Sequence, residues 1–149
     1  MKVLFIRHGE AEERTFQSLD EDRSLTIKGR ADLDEAMVFI RRALQNQQVK
    51  VASSSLLRAR QTAEYLTDKY ELCEFMATGN LQQLRAYVEA NQQLDYLVLV
   101  GHEPFISLWI HDLTRQRIKV KKGMLIELVW PNQLAQQIKL KDYSSFKVD

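Results

Sequence analysis

A histidine stands between an arginine and a glycine close to the N-terminus, directly after a short apolar run. Arg7, His8 and Gly9 follow the four apolar residues Val3 to Ile6. An imidazole in this place could attack an electrophile or move a proton, and the neighbouring guanidinium could hold an anion. The tripeptide could also do no more than end a strand, so any chemistry would require partners from elsewhere in the chain.

Two later residues stand in a similar relation to apolar segments. His102 follows the run Tyr96 to Val100 by two positions, and Arg58 comes shortly after the segment Val49 to Ser53. If these segments are parallel strands, their carboxyl ends meet at one edge of the sheet, where ligands gather. We therefore expect His102 and Arg58 to join the N-terminal arginine and histidine in one site.

The combination of two arginines with two histidines favours a phosphoryl group as the ligand. The guanidinium groups of Arg7 and Arg58 match the oxygens of a phosphate in bidentate geometry. The N-terminus of the helix expected to carry Arg58 would add backbone N–H groups and a favourable dipole. Gly9 would let the main chain come close to the ligand. A carboxylate would also fit the charge, but less fully.

The two histidines would divide the chemistry between them. One unprotonated imidazole could attack phosphorus and form a phosphohistidine intermediate that water then hydrolyses. Its other ring nitrogen would need an acceptor, such as a backbone carbonyl, to fix the tautomer. We assign the attack to His8, which lies within the turn, and the stabilisation of the transition-state oxygens to His102.

The supply of metal ligands is poor. The chain has one cysteine, Cys73, and three histidines that show no metal-binding spacing. A zinc site would need a cluster of cysteines and histidines. We therefore expect neither a metal nor another cofactor.

Strands and helices alternate along most of the chain. Apolar, β-branched runs predict strands over residues 2–6, 49–53, 70–76 and 96–100. Apolar residues at helical spacing predict four helices: from Thr26 to Leu44, from a serine cap at Ser54 or Ser55, from Leu81 to Val88, and from Pro104 as the first helical residue. The fourth helix should bury the side that carries Phe105, Leu108, Trp109 and Leu113.

The end of the chain has a different pattern. Met124 to Val129, a turn at Pro131 and Asn132, and Ala135 to Tyr143 predict an antiparallel hairpin. Together with the alternation before it, this predicts an α/β fold: a three-layer sandwich with a mostly parallel central sheet flanked by helices and an antiparallel hairpin near the C-terminus.

Composition excludes several classes of function. The 149 residues carry a net charge of +1, which provides no electrostatic footprint for nucleic acid or an anionic membrane. The N-terminal apolar run is too short for a signal peptide, and the longest later run, Tyr96 to Val100, is too short to span a bilayer. We expect a cytoplasmic protein that binds neither nucleic acid nor membrane.

Three segments resemble the signatures of a known family. The stretches "FIRHGEAE", "SSSLLRARQTAEYL" and "LVLVGHEPFI" are similar, in order and spacing, to those of the histidine phosphatase (phosphoglycerate mutase-like) superfamily. The stretch "RSLTIKGRADL" resembles the one that leads into the family's first helix. The small size, without an inserted lid domain, looks like the SixA-type phosphohistidine phosphatases of bacteria.

The resemblance implies a single histidine-phosphatase domain over residues 1–149 that works without a cofactor. It implies that His8 is the phosphorylated nucleophile and that Arg7, Arg58 and His102 hold the phosphoryl group. For the SixA type it further implies a phosphorylated histidine-containing phosphotransfer domain or a phosphocarrier protein as the partner.

One departure from the family bears on the substrate. Larger mutase-like members carry a proton-donating carboxylate before their third helix, whereas the corresponding segment here, "MATGNLQQL", has no acid. An alcohol leaves poorly without a proton, but imidazole has a pKa near ~6.5 and can carry its proton beforehand. The missing acid therefore favours phosphohistidine as the substrate.

The segment after the tripeptide keeps other possibilities open. It contains five acids that could fold over the site and supply a proton, namely Glu10, Glu12, Glu13, Asp20 and Asp22. A small phosphomonoester or phosphoanhydride is therefore a second candidate substrate. A third hypothesis is a non-catalytic module that binds phosphate with the same residues.

Several other conspicuous residues have structural interpretations. We expect Arg60 to be solvated, His111 to be structural, and Cys73, Trp109 and Trp130 to lie in the core. The basic run "RQRIKVKKG" from Arg115 to Gly123 alternates with Ile118 and Val120, which predicts an exposed strand face. The same run could dock an acidic substrate protein.

Overall fold

The computed structural model describes residues 1–148. Its strands are β1 (Lys2–Arg7), β2 (Val49–Ser53), β3 (Glu71–Leu72), β4 (Tyr96–Gly101), β5 (Leu125–Val129) and β6 (Gln133–Ile138). Its α-helices are α1 (Ile27–Ala43), α2 (Leu57–Glu64), α3 (Phe75–Thr78), α4 (Leu81–Glu89) and α5 (Phe105–Thr114). Asp20–Asp22 and Leu140–Ser145 form 3-10 turns. None of the helices in residues 1–148 is both long and apolar enough to cross a membrane.

The strands form one six-stranded sheet in the order β3-β2-β4-β1-β5-β6. β1 is parallel to β4, and β2 is parallel to both β4 and β3. β5 runs antiparallel to β1 and forms an antiparallel hairpin with β6. The predicted mostly parallel sheet with a hairpin near the C-terminus is therefore confirmed.

Helices cover both faces of the sheet because its central strands are apolar on both sides. Val3 and Phe5 of β1 pack in a cluster with residues of α3, α4 and α5. Leu4 and Ile6, whose side chains point to the opposite face, pack in a second cluster with α1 and α2. All four side chains are fully buried, and the three-layer sandwich is confirmed.

Two helix starts differ from the sequence prediction. The residue that caps α2 is Leu56, which has no side-chain capping bond. The predicted cap Ser54 lies two residues earlier, where its Oγ accepts from the Leu56 N–H at 3.2 Å and also meets His102. Pro104 is the capping residue of α5 and not its first helical residue.

The buried side of α5 is also rotated from the expected one. Leu108 is 53% exposed, and Phe105 is half-buried. The buried positions are Ile106, Trp109, Ile110 and Leu113, which have the i, i+3, i+4, i+7 spacing of a single helical face. The sequence contains two overlapping apolar stripes: Trp109 and Leu113 are buried as predicted, whereas Leu108 is not.

Three further segments are shorter or less regular than predicted. The strand expected over residues 70–76 is limited to β3, because Phe75 and Met76 turn into α3 and bury their side chains. The second strand of the hairpin ends at Ile138 and does not reach Tyr143. The basic run 115–123 contains no strand: Arg115 adopts a left-handed φ of 65° and ends α5.

The three residues predicted to lie in the core differ in how deeply they are buried. Trp109 is almost fully buried and Cys73 is a buried free cysteine. Trp130 is only partly buried against the core, and its Nε1 donates to Glu89 Oε1 at 3.1 Å.

Arg60 is half-buried, with its Nε donating to the Ser55 carbonyl at 2.9 Å, so it is less solvated than expected.

The start of α1 is fastened to the turn that follows β1. Thr26 caps the helix by accepting the Gly29 N–H on its Oγ1 at 2.9 Å, and the Thr26 N–H donates to the Glu10 carbonyl at 2.9 Å. A Cβ atom on Gly29 would lie 2.3 Å from the same carbonyl oxygen. Glycine at this position therefore allows α1 to approach the residues next to His8.

We expect Gly29→Ala to destabilise the protein, although alanine normally favours a helix over glycine by about 1 kcal/mol. Overpacking against a fixed carbonyl should lower the free energy of unfolding by about 1–3 kcal/mol, measured in urea. Arg30→Ala, one residue further on and exposed, is the matched control and should change stability by less than about 0.5 kcal/mol. A Gly29→Ala protein as stable as the wild type would contradict this explanation.

Candidate active site

The register of the sheet brings three strand ends together. Arg7 at the end of β1 pairs with Gly101 at the end of β4, and Ser53 at the end of β2 pairs with Val100. The residues that follow these strands therefore lie side by side. The rings of His8 and His102 have their centroids 5.1 Å apart, as the strand-end argument predicts.

The backbone of His8 is held from both sides. Its N–H donates to the Gly101 carbonyl at 3.1 Å, and its carbonyl accepts from the Gly123 N–H at 3.0 Å. The side chain is fixed as well, because Nδ1 lies 2.7 Å from the Gly9 carbonyl oxygen. A carbonyl can only accept, so Nδ1 carries the proton and Nε2 keeps its lone pair.

Both histidines are neutral rings. Burial lowers the pKa of His8 from its usual 6.5 to about 3; the hydrogen bond to Gly9 opposes this, and the positive charges nearby add to it. Burial and the charge of Arg58 lower the pKa of His102 to about 4. His8 is therefore an unprotonated base with a free Nε2 at neutral pH, which is the state a nucleophile requires.

His102 is oriented by a serine from the neighbouring strand end. Its Nε2 lies 2.7 Å from Ser54 Oγ. The Ser54 hydroxyl can donate its hydrogen to Nε2 while its oxygen accepts the Leu56 N–H, and in that tautomer the ring proton resides on Nδ1. This Nδ1 is buried without a hydrogen-bond partner among residues 1–148, and it can donate to an oxygen of a ligand.

The two arginines also keep buried nitrogens for a ligand. Arg7 donates from Nη1 to the Val120 carbonyl at 2.9 Å, and Arg58 donates from Nη1 to the Asp20 carbonyl at 2.8 Å. In both side chains Nε is buried and has no partner in the described chain. Buried donors are normally satisfied, so these nitrogens and His102 Nδ1 indicate where the oxygens of an anion would complete the hydrogen bonding.

Burial acts on both arginines without removing their charge. It lowers the pKa of Arg7 from its ordinary value, and the charge of Glu103 opposes this effect. It lowers the pKa of Arg58 in the same way, and Asp20 opposes it. Guanidinium groups stay protonated in proteins, so the site presents two permanent positive charges next to a neutral nucleophile.

Gly9 is packed closely between His8 and the helices α1 and α2. Its N–H donates to Thr62 Oγ1 at 3.2 Å, and its carbonyl accepts from His8. A Cβ atom there would lie 2.8 Å from Leu33 Cδ1 in α1. The structure thus shows Gly9 packed against the helices, and the predicted contact of Gly9 with a ligand stays a prediction.

Sequence reasoning missed Ser54 and Thr62 as parts of the site. Ser54 follows the end of β2 by one position, as His8 follows β1, so the strand-end rule applied to every strand would have found it. Thr62 had no such signal. Its Oγ1 accepts from Gly9 and donates to the Arg58 carbonyl at 2.8 Å, and this link depends on how α2 packs.

Of the five acids in the segment after the tripeptide, only Asp20 has a hydrogen bond or ion pair to one of the four site residues within residues 1–148. Its Oδ2 lies 3.3 Å from Arg58 Nη2, and its Oδ1 pairs with Arg23 at 2.8 Å and with Arg14 at 3.2 Å. Glu10 instead accepts from Thr26 Oγ1 at 2.6 Å. Glu12 accepts from Ser24 Oγ.

The carboxyl of Asp20 is ionised more readily than usual. Burial raises its pKa, but the charges of Arg58, Arg23 and Arg14 outweigh this, so the pKa is lowered overall. The carboxylate is therefore an anion that contacts Arg58 through Nη2 and leaves Arg58 Nε without a partner in the described chain. Among residues 1–148, no three His, Cys, Asp or Glu side chains are grouped so that they could hold a metal ion.

Comparisons with known proteins identify the family of this chain. Residues 3–86 match the family described as the histidine phosphatase superfamily (branch 1), and the chain belongs to that superfamily, whose members include phosphatases. It is also 32% identical over 143 residues to a protein of Picosynechococcus sp. (strain ATCC 27264 / PCC 7002 / PR-6), a match that covers 86% of this chain and 84% of the relative.

Two solved structures show the same fold at low sequence identity. The protein histidine phosphatase SixA complexed with tungstate matches with a TM-score of 0.80 and 19% identity, covering 95% of this chain and 98% of SixA. The phosphoserine phosphatase of Entamoeba histolytica in complex with 3-phosphoglyceric acid matches with a TM-score of 0.70 and 15% identity, covering 93% of this chain and 96% of that one.

The lowered pKa values make stability depend on pH in a defined direction. Between about pH 3 and 6.5 the unfolded chain binds protons on His8 and His102 that the folded protein does not bind. The contribution of the two histidines to the free energy of unfolding is therefore fully present above pH 6.5. It decreases as the pH falls, by up to about 1.4 kcal/mol per pH unit for each histidine. We expect His8→Gln to reduce this slope in urea unfolding at pH 5, 6 and 7. Equal slopes for variant and wild type would refute the assignment.

Removal of the Asp20 charge should strengthen anion binding. We expect Asp20→Asn to lower the inhibition constant of vanadate or phosphate roughly two- to fivefold, since a partly exposed ion pair contributes up to about 1 kcal/mol. Asp22→Asn, in the same 3-10 turn, is the matched control and should have little effect. Weaker anion binding by Asp20→Asn would mean that Asp20 holds Arg58 in place and does not compete with the ligand.

Proposed function

We propose that this phosphatase hydrolyses phosphohistidine on a protein through a covalent phosphohistidine intermediate on His8. The observation that carries the proposal is the hydrogen bond from His8 Nδ1 to the Gly9 carbonyl at 2.7 Å. It leaves Nε2 unprotonated within a ring that burial keeps neutral. The buried donors of Arg7, Arg58 and His102 supply the oxyanion contacts that such an attack requires.

In the first half-reaction the lone pair of His8 Nε2 attacks phosphorus. A P–N bond to Nε2 forms while the bond from phosphorus to the substrate's ring nitrogen breaks, and that nitrogen takes the electron pair. Arg7 and Arg58 donate to the non-bridging oxygens, and His102 donates from Nδ1. These contacts stabilise the charge that is spread over the oxygens in the transition state.

In the second half-reaction water takes the place of the leaving group. Its oxygen attacks the phosphorus of phosphorylated His8, the P–N bond breaks, and its electron pair returns to Nε2. Both protons of the water leave with the released phosphate. The enzyme ends with Nδ1 still bonded to Gly9, so the tautomer of His8 is ready for another cycle, and the cycle as written consumes only water.

The proton supply favours a P–N substrate. Asp20 is the acid found on a phosphate-binding arginine, and its lowered pKa keeps it ionised, which makes it a poor donor to an alkoxide. A phosphohistidine needs less help, because its second ring nitrogen can carry the proton before cleavage. The alternative, a small phosphomonoester, would require Asp20 or Glu103 to act as the acid.

The partner belongs to the same proposal. A phosphorylated histidine-containing phosphotransfer domain or a phosphocarrier protein, both in the cytoplasm, would fit the resemblance to the SixA type. The match to the SixA fold supports a protein substrate. So does the surface beside Asp20, where Phe16 and Leu19 are exposed apolar side chains that a protein could cover.

The mechanism predicts an acid-labile phosphoenzyme. With a radiolabelled phosphohistidine protein as substrate, we expect rapid quenching to trap label on the wild type and none on His8→Ala, with turnover reduced about a thousandfold or more in that variant. His111→Ala, outside the site, is the control and should behave as wild type. Full turnover in His8→Ala would disprove the mechanism.

The substrate is tested by a comparison of catalytic efficiencies. Values of kcat/KM for the phosphohistidine protein should exceed those for phosphoserine and for a panel of sugar phosphates. Faster cleavage of a phosphomonoester would favour the alternative substrate while it left the His8 intermediate intact. Phosphate binding without any turnover would identify a binding module instead.

A further inference from the structure

A groove with a volume of about 540 Å³ lies between α1 and the segments that flank the C-terminal hairpin. Five lysines line it, and we call it the lysine groove: Lys28 from α1, Lys121 and Lys122 before β5, and Lys139 and Lys141 after β6. These residues are far apart in the sequence, so the fold itself gathers them.

Four of these five lysines have no ion-pair partner among residues 1–148. Lys28 pairs with Asp32 at 2.6 Å. The other four lysines are exposed, and within residues 1–148 none of them has an acidic partner within ion-pair distance. The five lysines outnumber the three acids that line the groove, Glu10, Asp32 and Glu35, so its net charge is positive and can attract an anionic partner and raise its rate of association.

The lysine groove adjoins the active site through the backbone. Lys121 and Lys122 stand between Val120, whose carbonyl accepts from Arg7 Nη1 at 2.9 Å, and Gly123, whose N–H donates to the His8 carbonyl at 3.0 Å. Glu10, two residues after His8, lines the groove on another side. A macromolecule that brings a phosphoryl group to His8 would therefore lie close to these lysines.

The lining favours a protein over a continuous polyanion. Asp32 and Glu35 of α1 also face the groove. A protein can place basic or apolar side chains beside these acids and acidic ones beside the lysines, whereas nucleic acid or an anionic bilayer presents negative charge throughout. Phe39, which is 40% exposed, and Leu140 add apolar surface. Mixed charges around exposed apolar side chains are typical of protein interfaces.

We propose that the lysine groove docks an acidic surface next to the phosphohistidine of the substrate protein. This inference rests on the proposed function and adds the chemistry by which the partner is recognised. Because these contacts lie outside the reacting atoms, docking would increase the rate of association and the affinity and would leave the chemical step unchanged.

The test separates docking from chemistry by means of two substrates. For the variant K121Q/K122Q/K139Q/K141Q we expect kcat/KM on a phosphorylated histidine-containing phosphotransfer domain with an acidic surface to fall about 10- to 100-fold at low salt, mainly through KM. The difference should shrink at about 0.5 M salt. Turnover of the small P–N compound phosphoramidate should stay within about twofold.

The matched control replaces three exposed lysines that do not line the groove: Lys69, Lys119 and Lys147. K69Q/K119Q/K147Q should behave as wild type on both substrates. An unchanged kcat/KM of the groove variant on the protein would overturn the proposal. An equal loss on both substrates would also overturn it, since the lysines would then support the active site itself.

A binding measurement keeps failure of docking distinct from failure of the proposed function. His8→Ala with and without the four substitutions is titrated with the phosphorylated domain, so that binding is read without turnover. Lysine-dependent binding would support docking even if the wild type did not hydrolyse this protein. Absence of such binding, or lysine-dependent binding of phosphatidylserine vesicles or an oligonucleotide in its place, would overturn the proposal.

Discussion

The hydrogen bond from the His8 N–H to the Gly101 carbonyl extends the pairing of β1 with β4 by one residue past the strand ends. This constraint fixes the distance between the two imidazoles, because His102 is the next residue after that carbonyl. A slip of one residue in the parallel register would turn His8 to the opposite face of the sheet. The fully buried apolar side chains on both faces of β1 and β4 prevent such a slip, so the geometry of the site depends on the core beneath it.

The site combines excess positive charge with buried hydrogen-bond donors that have no partner, an arrangement that does not favour folding. Two arginines with buried, unpaired nitrogens and two neutral imidazoles lie at one sheet edge, and each unsatisfied donor lowers stability. Asp20 compensates part of this through Arg58 while leaving Arg58 Nε available. The arrangement is preorganised for an anion, as expected where function and stability oppose each other.

The sequence predicts the parts of the structure that local patterns determine. His8 and His102 were placed correctly because each follows a β-branched apolar run, and such runs form buried parallel strands. The prediction was partly wrong for α5, where two apolar stripes overlap: Trp109 and Leu113 are buried as expected, but Leu108 is exposed and Ile110 is buried. It also failed for Ser54, since a hydroxyl near a helix start suggests a cap, and its partner His102 lies 48 residues away. Long-range pairings of this kind are not encoded in a local period.

The charge state of Asp20 affects which leaving group the site can help to depart. Under the proposed function, an acid that Arg58 keeps ionised provides no ready proton for an alkoxide, which disfavours P–O cleavage. An imidazole leaving group avoids this problem by bringing its own proton. Chemistry of this kind discriminates between classes of substrate but not between proteins that carry the same phosphohistidine. Selection among such proteins would then come from contacts outside the reacting atoms, and the lysine groove beside the His8 turn is the surface that we propose for them.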